Sequence, residues 1–319
     1  MRDAFIAQLT RLAERDPRIM LVTGDLGFGV LTDYAKRFPR QYLNAGVAEQ
    51  NMTGLATGLA MEGRIVFTYS IANFPTLRCL EQIRNDACYH GASVKVVAVG
   101  GGFSYGALGT SHHATEDIAI LRSLPDMTVV CPGDDWEATE ATTAIADLPG
   151  TAYLRLDRAG AGGVPREGER FVLGRSRVMR EGQDVTLIAT GGILGVAMRA
   201  AESLALDGIS CRVLSMHTVK PLDEEAVLAA ARETGGIVTI EEHTVVGGLG
   251  GAVAECCLEG GAAPRRFTRV GLRAGFSSIV GSQDYLRARY GLDAEAVVAT
   301  VRQLLGTRPS DRPLERAGA

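Results

Sequence analysis

The sequence predicts an α/β protein built as two parallel or mostly parallel α/β sandwich domains, and three observations lead there. Short β-branched runs alternate with stretches of 3.6-residue periodicity, the pattern of parallel strands joined by helices that cover both sheet faces. The 319 residues are roughly twice the length of a compact unit of about 150 residues. After Leu156 the composition turns to DRAGAGGVPREGER, where Gly, Ala, Pro and solvated charges read as an interdomain connection.

Taken in order, the chain opens on MRDAFIAQLTRLAERD, which carries charges at Arg2 and Asp3 and an amphipathic rhythm. That is a first helix, without the apolar segment of a secretory signal. The runs LVTGD, YLNAG, IVFTYS, VKVVAV, MTVVCP and AYLRL supply the strands of a first domain, residues 1–160, followed by a linker at 161–170. A second series gives VTLIAT, CRVLSM, GIVTIEEH and RFTRVG as strands, with AMRAAESLAL, DEEAVLAAARE and DAEAVVATVRQLL as helices, for a second domain at 171–308. Residues 309–319 read as a loose tail.

Composition narrows the function classes. With 46% hydrophobic and 22% charged residues, the chain folds rather than remaining disordered. A net charge of -4 and a pI near 5.8, without a local basic patch, argue against nucleic acid or anionic lipid as partners. Cys79, Cys88, Cys131, Cys211, Cys256 and Cys257 lack a CxxC or Cys/His metal spacing and read as reduced core thiols. The uncharged stretches are too short or too polar to span a bilayer, so a soluble, cytoplasmic protein is expected.

In alternating α/β domains, ligands meet the carboxyl ends of the strands. The loop after YLNAG leads into GVAEQNM, with Glu49 in the first turn of a small-residue helix, where a carboxylate also complements the helix dipole. The loop after IVFTYS holds Phe74 and Pro75 before EQIRNDA; core packing is the alternative reading of Phe74. The loop after VKVVAV is glycine-rich and delivers His112 and His113, a pair that core packing explains poorly.

This ordered set resembles the pyrimidine-binding domain of the transketolase family of thiamine diphosphate enzymes. GVAEQNM resembles the family's glutamate element, EQIRNDA its cofactor-domain helix, GTSHHATEDIAILRSLPDMTVVCPGD its histidine loop and next strand, and YLRLDR its arginine-bearing strand. Residues 21–160 carry that likeness, and residues 171–308 look like the transketolase C-terminal domain.

The resemblance implies Glu49, Phe74, Gln50 and Tyr69 as cofactor-binding residues. Glu49 would share a proton with the pyrimidine ring nitrogen, and Phe74 would stack on the ring. His112, with His113 second, would exchange protons with the substrate, and His112 and Arg158 would bind it. The family's diphosphate is held through Mg²⁺ by a GDG motif and a downstream Asn; this chain has no GDG and no Asn after Asn85. No metal ligand is therefore assigned here. The implied protein is the C-terminal, beta-like half of a split transketolase, a transferase (EC 2.2.1) active only with an N-terminal subunit that carries the GDG/Asn site, as an α2β2 heterotetramer. Its substrates would be a ketose-type donor and an aldehyde-type acceptor.

Where sugar-phosphate members of the family carry an arginine, a second histidine and an aspartate, this sequence has Asp33, Gly100 and Leu108. The usual phosphate grip is thus rearranged. Two alternatives stand beside this reading: the beta component of a 2-oxoacid dehydrogenase, and a non-catalytic homologue kept as a binding or scaffold subunit. Outside the site, Glu241, Glu242 and His243 read as surface or interface residues. GGLGG from Gly247 reads as close helix packing, and Trp136 as a packing anchor.

Overall fold

The computed structural model describes residues 1–157, 165, 167–273 and 275–306, leaving half of the expected linker and all of the expected tail outside the described residues. Its strands are β1 (Ile19–Thr23), β2 (Tyr42–Asn44), β3 (Ile65–Ile71), β4 (Val94–Val99), β5 (Met127–Val130), β6 (Thr151–Leu156), β7 (Arg177–Arg180), β8 (Val185–Thr190), β9 (Cys211–Ser215), β10 (Thr218–Lys220), β11 (Ile237–Thr244) and β12 (Phe267–Leu272). They form two sheets, seven-stranded in the order β10-β5-β6-β4-β3-β1-β2 and five-stranded in the order β12-β11-β8-β9-β7. All ladders are parallel except β10 on β5 and β7 on β9.

The β-branched runs become strands because they are buried on both faces: every residue of β4, β6 and β8 is buried. The two antiparallel strands, RVMR and TVK, escape the sequence reading because each is short and sits at a sheet edge. In β10 the second half of the chain donates an edge strand to the first sheet.

Helices of the first half are α1 (Arg2–Arg15), α2 (Thr32–Arg37), α3 (Glu49–Met61), α4 (Leu80–Gln82, continued by a π-helical stretch at Ile83–Cys88), α5 (Asp117–Arg122) and α6 (Asp135–Asp147). Those of the second half are α7 (Leu194–Leu206), α8 (Glu224–Glu233), α9 (Leu249–Glu259), α10 (Gln283–Arg289) and α11 (Ala294–Leu305). Aspartates 134, 223 and 293 cap α6, α8 and α11, each accepting from a backbone N–H three residues on. Helix α1 is the expected amphipathic one, burying Phe5, Leu9 and Ala13 at four-residue spacing. Each of the two larger side chains contributes roughly 1.5 to 3 kcal/mol of burial.

Strand β3 divides the first core. Phe67 and Tyr69 point to the side of α1 and α6, whereas Val66 points to the side of Met52 and Ala56 on α3. No helix among the described residues is long and apolar enough to cross a membrane.

Candidate active site

The chain runs from β1 to an edge at β2 and then returns past β1 to β3, so the parallel strands bring the loops after β2, β3 and β4 to one end of the sheet. After β2 the backbone turns at Gly46, whose φ of 76° suits glycine, and α3 begins at Glu49. The Glu49 carboxylate is buried, with Gly24 closing against it: a Cβ on Gly24 would lie 3.4 Å from Glu49 Cγ. Its partner is Arg78, whose Nη1 donates to Glu49 Oε2 at 2.9 Å.

The loop after β3 brings Phe74 and Arg78 to the same place. Thr76 donates to the Ala72 carbonyl, and the Cys79 thiol to the Phe74 carbonyl, fixing the turn. The Arg78 guanidinium carbon lies 4.8 Å from the Phe74 ring centroid. His112 meets Phe74 edge-on at 5.1 Å between centroids. Glu49, Arg78, Phe74 and His112 therefore form one continuous line of contacts.

The glycine-rich loop presents the histidines on a closed base. Gly102 and Ala114 exchange backbone hydrogen bonds of 2.8 and 3.0 Å, so residues 103–113 leave and return at one point. His112 is half-buried with Nδ1 3.0 Å from Ser111 Oγ; burial, and then its neighbour His113, push its pKa down. Its imidazole is neutral near pH 7 and able to accept a proton. His113 turns inward instead, edge-on to Phe103. Its Nε2 donates to the Gly106 carbonyl at 3.1 Å, and Nδ1 is buried without a partner among the described residues. The Asn73 side chain donates to the His113 carbonyl at 2.7 Å, tying the two loops together.

Other expected site residues fall elsewhere. Gln50 is exposed at the start of α3. Tyr69 is buried and stacked on Phe5, 6.1 Å between centroids, on the sheet face opposite α3, because its parity along β3 is that of Phe67. Arg158 lies outside the described residues. Gly100 sits at a φ of 103° against the Tyr105 ring, 2.2 Å from where a Cβ would be, so a side chain there would need Tyr105 to move. Asp33 and Leu108 are exposed.

The loop's base rests on a buried ionic cluster that joins the two halves of the chain and that sequence reasoning did not find. Asp117 accepts from Arg155 Nε at 2.8 Å and from the Tyr153 hydroxyl at 2.6 Å. Arg155 also donates to the Ala114 and Glu242 carbonyls. The Glu242 carboxylate accepts from the Phe103 N–H and from Arg287, both at 2.6 Å. Glu241 accepts from the N–H groups of Leu249 and Gly250 at the start of α9, so GGLGG packs against its own chain. The EEH run is thus an interface element. Trp136 packs near Phe171 and under Arg177. Among the described residues no group of three or more His, Cys, Asp or Glu is arranged to hold a metal ion.

Comparisons with known proteins identify the family and the fold. Residues 1–162 match the transketolase pyrimidine binding domain, and residues 174–297 match the transketolase C-terminal domain. A 6-deoxy-6-sulfo-D-fructose transketolase subunit of Clostridium sp. is 40% identical over 305 residues, covering 95% of this chain and 94% of the relative. A subunit of the apulose-4-phosphate transketolase of Phocaeicola vulgatus is 38% identical over 306 residues, covering 95% of this chain and 97% of the relative. A solved structure of a split gene transketolase, an inactive β4 tetramer, superimposes with a TM-score of 0.88 at 39% identity, covering 97% of this chain and 99% of that one.

Proposed function

Since this chain belongs to the transketolase family, we propose that it is the C-terminal subunit of a two-component, thiamine-diphosphate-dependent transketolase, moving a ketol group from a ketose-type donor to an aldehyde-type acceptor. One observation carries the reading: a buried glutamate, a half-buried phenylalanine and a neutral histidine converge at one sheet end. They fit the aminopyrimidine half of the cofactor. Glu49 offers a carboxylate behind a glycine, and Phe74 offers a ring. The Mg²⁺ site does not fit the described residues, among which no group of three or more His, Cys, Asp or Glu is placed to hold a cation. An N-terminal subunit with the GDG/Asn site would supply it in an α2β2 assembly, and two relatives named as transketolase subunits support that division.

Bound thiamine diphosphate would supply the nucleophilic carbon that breaks and re-forms the ketol bond. Glu49 would hold a proton against the pyrimidine ring nitrogen, and Phe74 would fix the ring's tilt. His112, with Nδ1 beside Ser111, would accept and return the substrate proton at Nε2. His113, its Nε2–H committed to Gly106, would position the loop.

The test is reconstitution. Alone, the chain is expected to bind thiamine diphosphate and Mg²⁺ poorly and to be inactive, whereas with its N-terminal partner it gains both. Tight stoichiometric binding by the isolated chain in calorimetry would overturn the division of labour. Pyruvate decarboxylation with lipoyl transfer, and no ketol transfer, would favour the 2-oxoacid dehydrogenase reading.

For the substrate, Asp33, Gly100 and Leu108 replace three polar readers of a phosphorylated ketose, and one remaining charge-assisted contact from Arg158, worth roughly 1.5 to 3 kcal/mol, is too little to replace them. Relatives named for a sulfonated fructose and for apulose 4-phosphate point to donors outside the standard set. A donor screen by kcat/KM is expected to place xylulose 5-phosphate below another ketose. A clear preference for xylulose 5-phosphate would refute this.

A further inference from the structure

Arg78 occupies both contacts that the proposed pyrimidine would make. Its guanidinium is flat, lies on the Phe74 ring at 4.8 Å, and donates an N–H to Glu49 at 2.9 Å. A protonated pyrimidine ring, also flat, would offer the same face to Phe74 and the same kind of N–H to Glu49. Where both seek Glu49 Oε2 and the same face of Phe74, the two compete. Resting on the cofactor reading above, we infer that Arg78 is a displaceable occupant of the pyrimidine position, competing with the cofactor for Glu49 and Phe74 and swinging toward solvent as the cofactor enters.

Three features make the occupant displaceable. The Arg78 side chain is 49% exposed, so one flank already faces water. It is a long, unbranched side chain at the short 3₁₀ turn Leu77–Cys79, where rotation about its own bonds moves the guanidinium without disturbing a helix. Among the described residues Glu49 is its only carboxylate partner, so leaving breaks one ion pair rather than a network. Contrast Arg155, whose guanidinium is buried and tied to Asp117 and to two carbonyls, and which has no such freedom.

The occupant has a cost and a use. While it stays, the binding-competent fraction is reduced and the apparent dissociation constant rises in proportion. It also keeps the buried Glu49 carboxylate paired, which an unpaired buried charge would not tolerate.

The experiment titrates thiamine diphosphate, at saturating Mg²⁺, into the reconstituted two-subunit protein by calorimetry. Arg78→Ala is expected to tighten binding roughly threefold to tenfold, the scale of one half-exposed ion pair plus one cation–π contact. Arg78→Lys, which keeps the charge but lacks the plane on Phe74, should give part of that gain. In a Glu49→Gln background the gain should shrink, because the ion pair is already broken. Unchanged or weaker binding by Arg78→Ala, with wild type binding normally, overturns the occupant and leaves the cofactor reading intact. Failure of every version, wild type included, to bind the cofactor overturns the cofactor reading and this inference with it.

Discussion

Two glutamates in this chain stand beside the starts of small-residue helices, and they have opposite fates. Glu241 lies in the second half of β11 and aims at α9, where the N–H groups of Leu249 and Gly250 close on it at 2.7 and 2.8 Å. Glu49 opens α3 and meets a half-exposed arginine side chain instead. Both carboxylates are buried, so burial alone does not mark a working acid. What separates them is whether the partner can leave. Backbone donors belong to the fold and stay; a mobile guanidinium can yield to another ligand.

The largest effect should come from the closed side of this contrast. Arg155→Met would strand two buried carboxylates, that of Asp117 at 2.8 Å and that of Asp157, which lies 3.8 Å from Arg155 Nη1, and breaking such a pair costs roughly 3 to 5 kcal/mol. Thermal unfolding is expected to show that loss, with the glycine-rich loop released from its base. A melting temperature within a degree of wild type would mean the cluster is dispensable.

On the open side, Glu49→Gln keeps shape and removes the exchangeable proton. Turnover of the reconstituted enzyme is expected to fall on the order of a hundredfold or more, with assembly and melting temperature nearly unchanged. Near-normal rates would remove Glu49 from the chemistry and erase the distinction between the two glutamates.

The smallest effect sharpens it. Burial pushes the Glu241 carboxyl up to about 7 from an ordinary 4.5, against the opposing pull of its two N–H donors. Because the folded value is the higher one, the folded state binds more protons in that window. The carboxyl's contribution is therefore greatest below about 4.5 and is lost as pH rises toward about 7. Glu241→Gln, which cannot ionise, should cost roughly 1 kcal/mol and more at pH 5 than at pH 8. A deficit in unfolding free energy that widens with pH would contradict the assignment.

Much of the fold was legible because its signals are local. VKVVAV and VTLIAT are continuous β-branched runs, and they are strands buried on both faces. Glu49, Phe74 and His112 could be named as one candidate group because each follows a recognisable strand in one parallel sheet, and parallel order alone places their loops together. Long-range pairings left no such trace. Asp117 and Arg155 are 38 residues apart, and Phe103 and Glu242 are 139 apart, and nothing in either segment names its partner. Arg78 likewise carries nothing in its own segment that names Glu49, 29 residues away, as its partner. Tyr69 was misplaced for want of parity: counting alternate residues from Phe67 along IVFTYS puts it on the α1 face.

The strand β10 has a consequence for how the molecule can be taken apart. Thr218–Lys220 lies along β5 and covers what would otherwise be a bare edge of the first sheet, and the Arg155 and Glu242 contacts join the same two halves. A chain severed between residues 157 and 167 should therefore not separate into two modules; the fragments are expected to co-elute as a nicked pair. Expressed alone, residues 1–157 would present β5 as an unpaired template for other strands and should self-associate. The boundary visible in composition is a place where the polypeptide changes character, and the mechanical seam of the protein lies elsewhere.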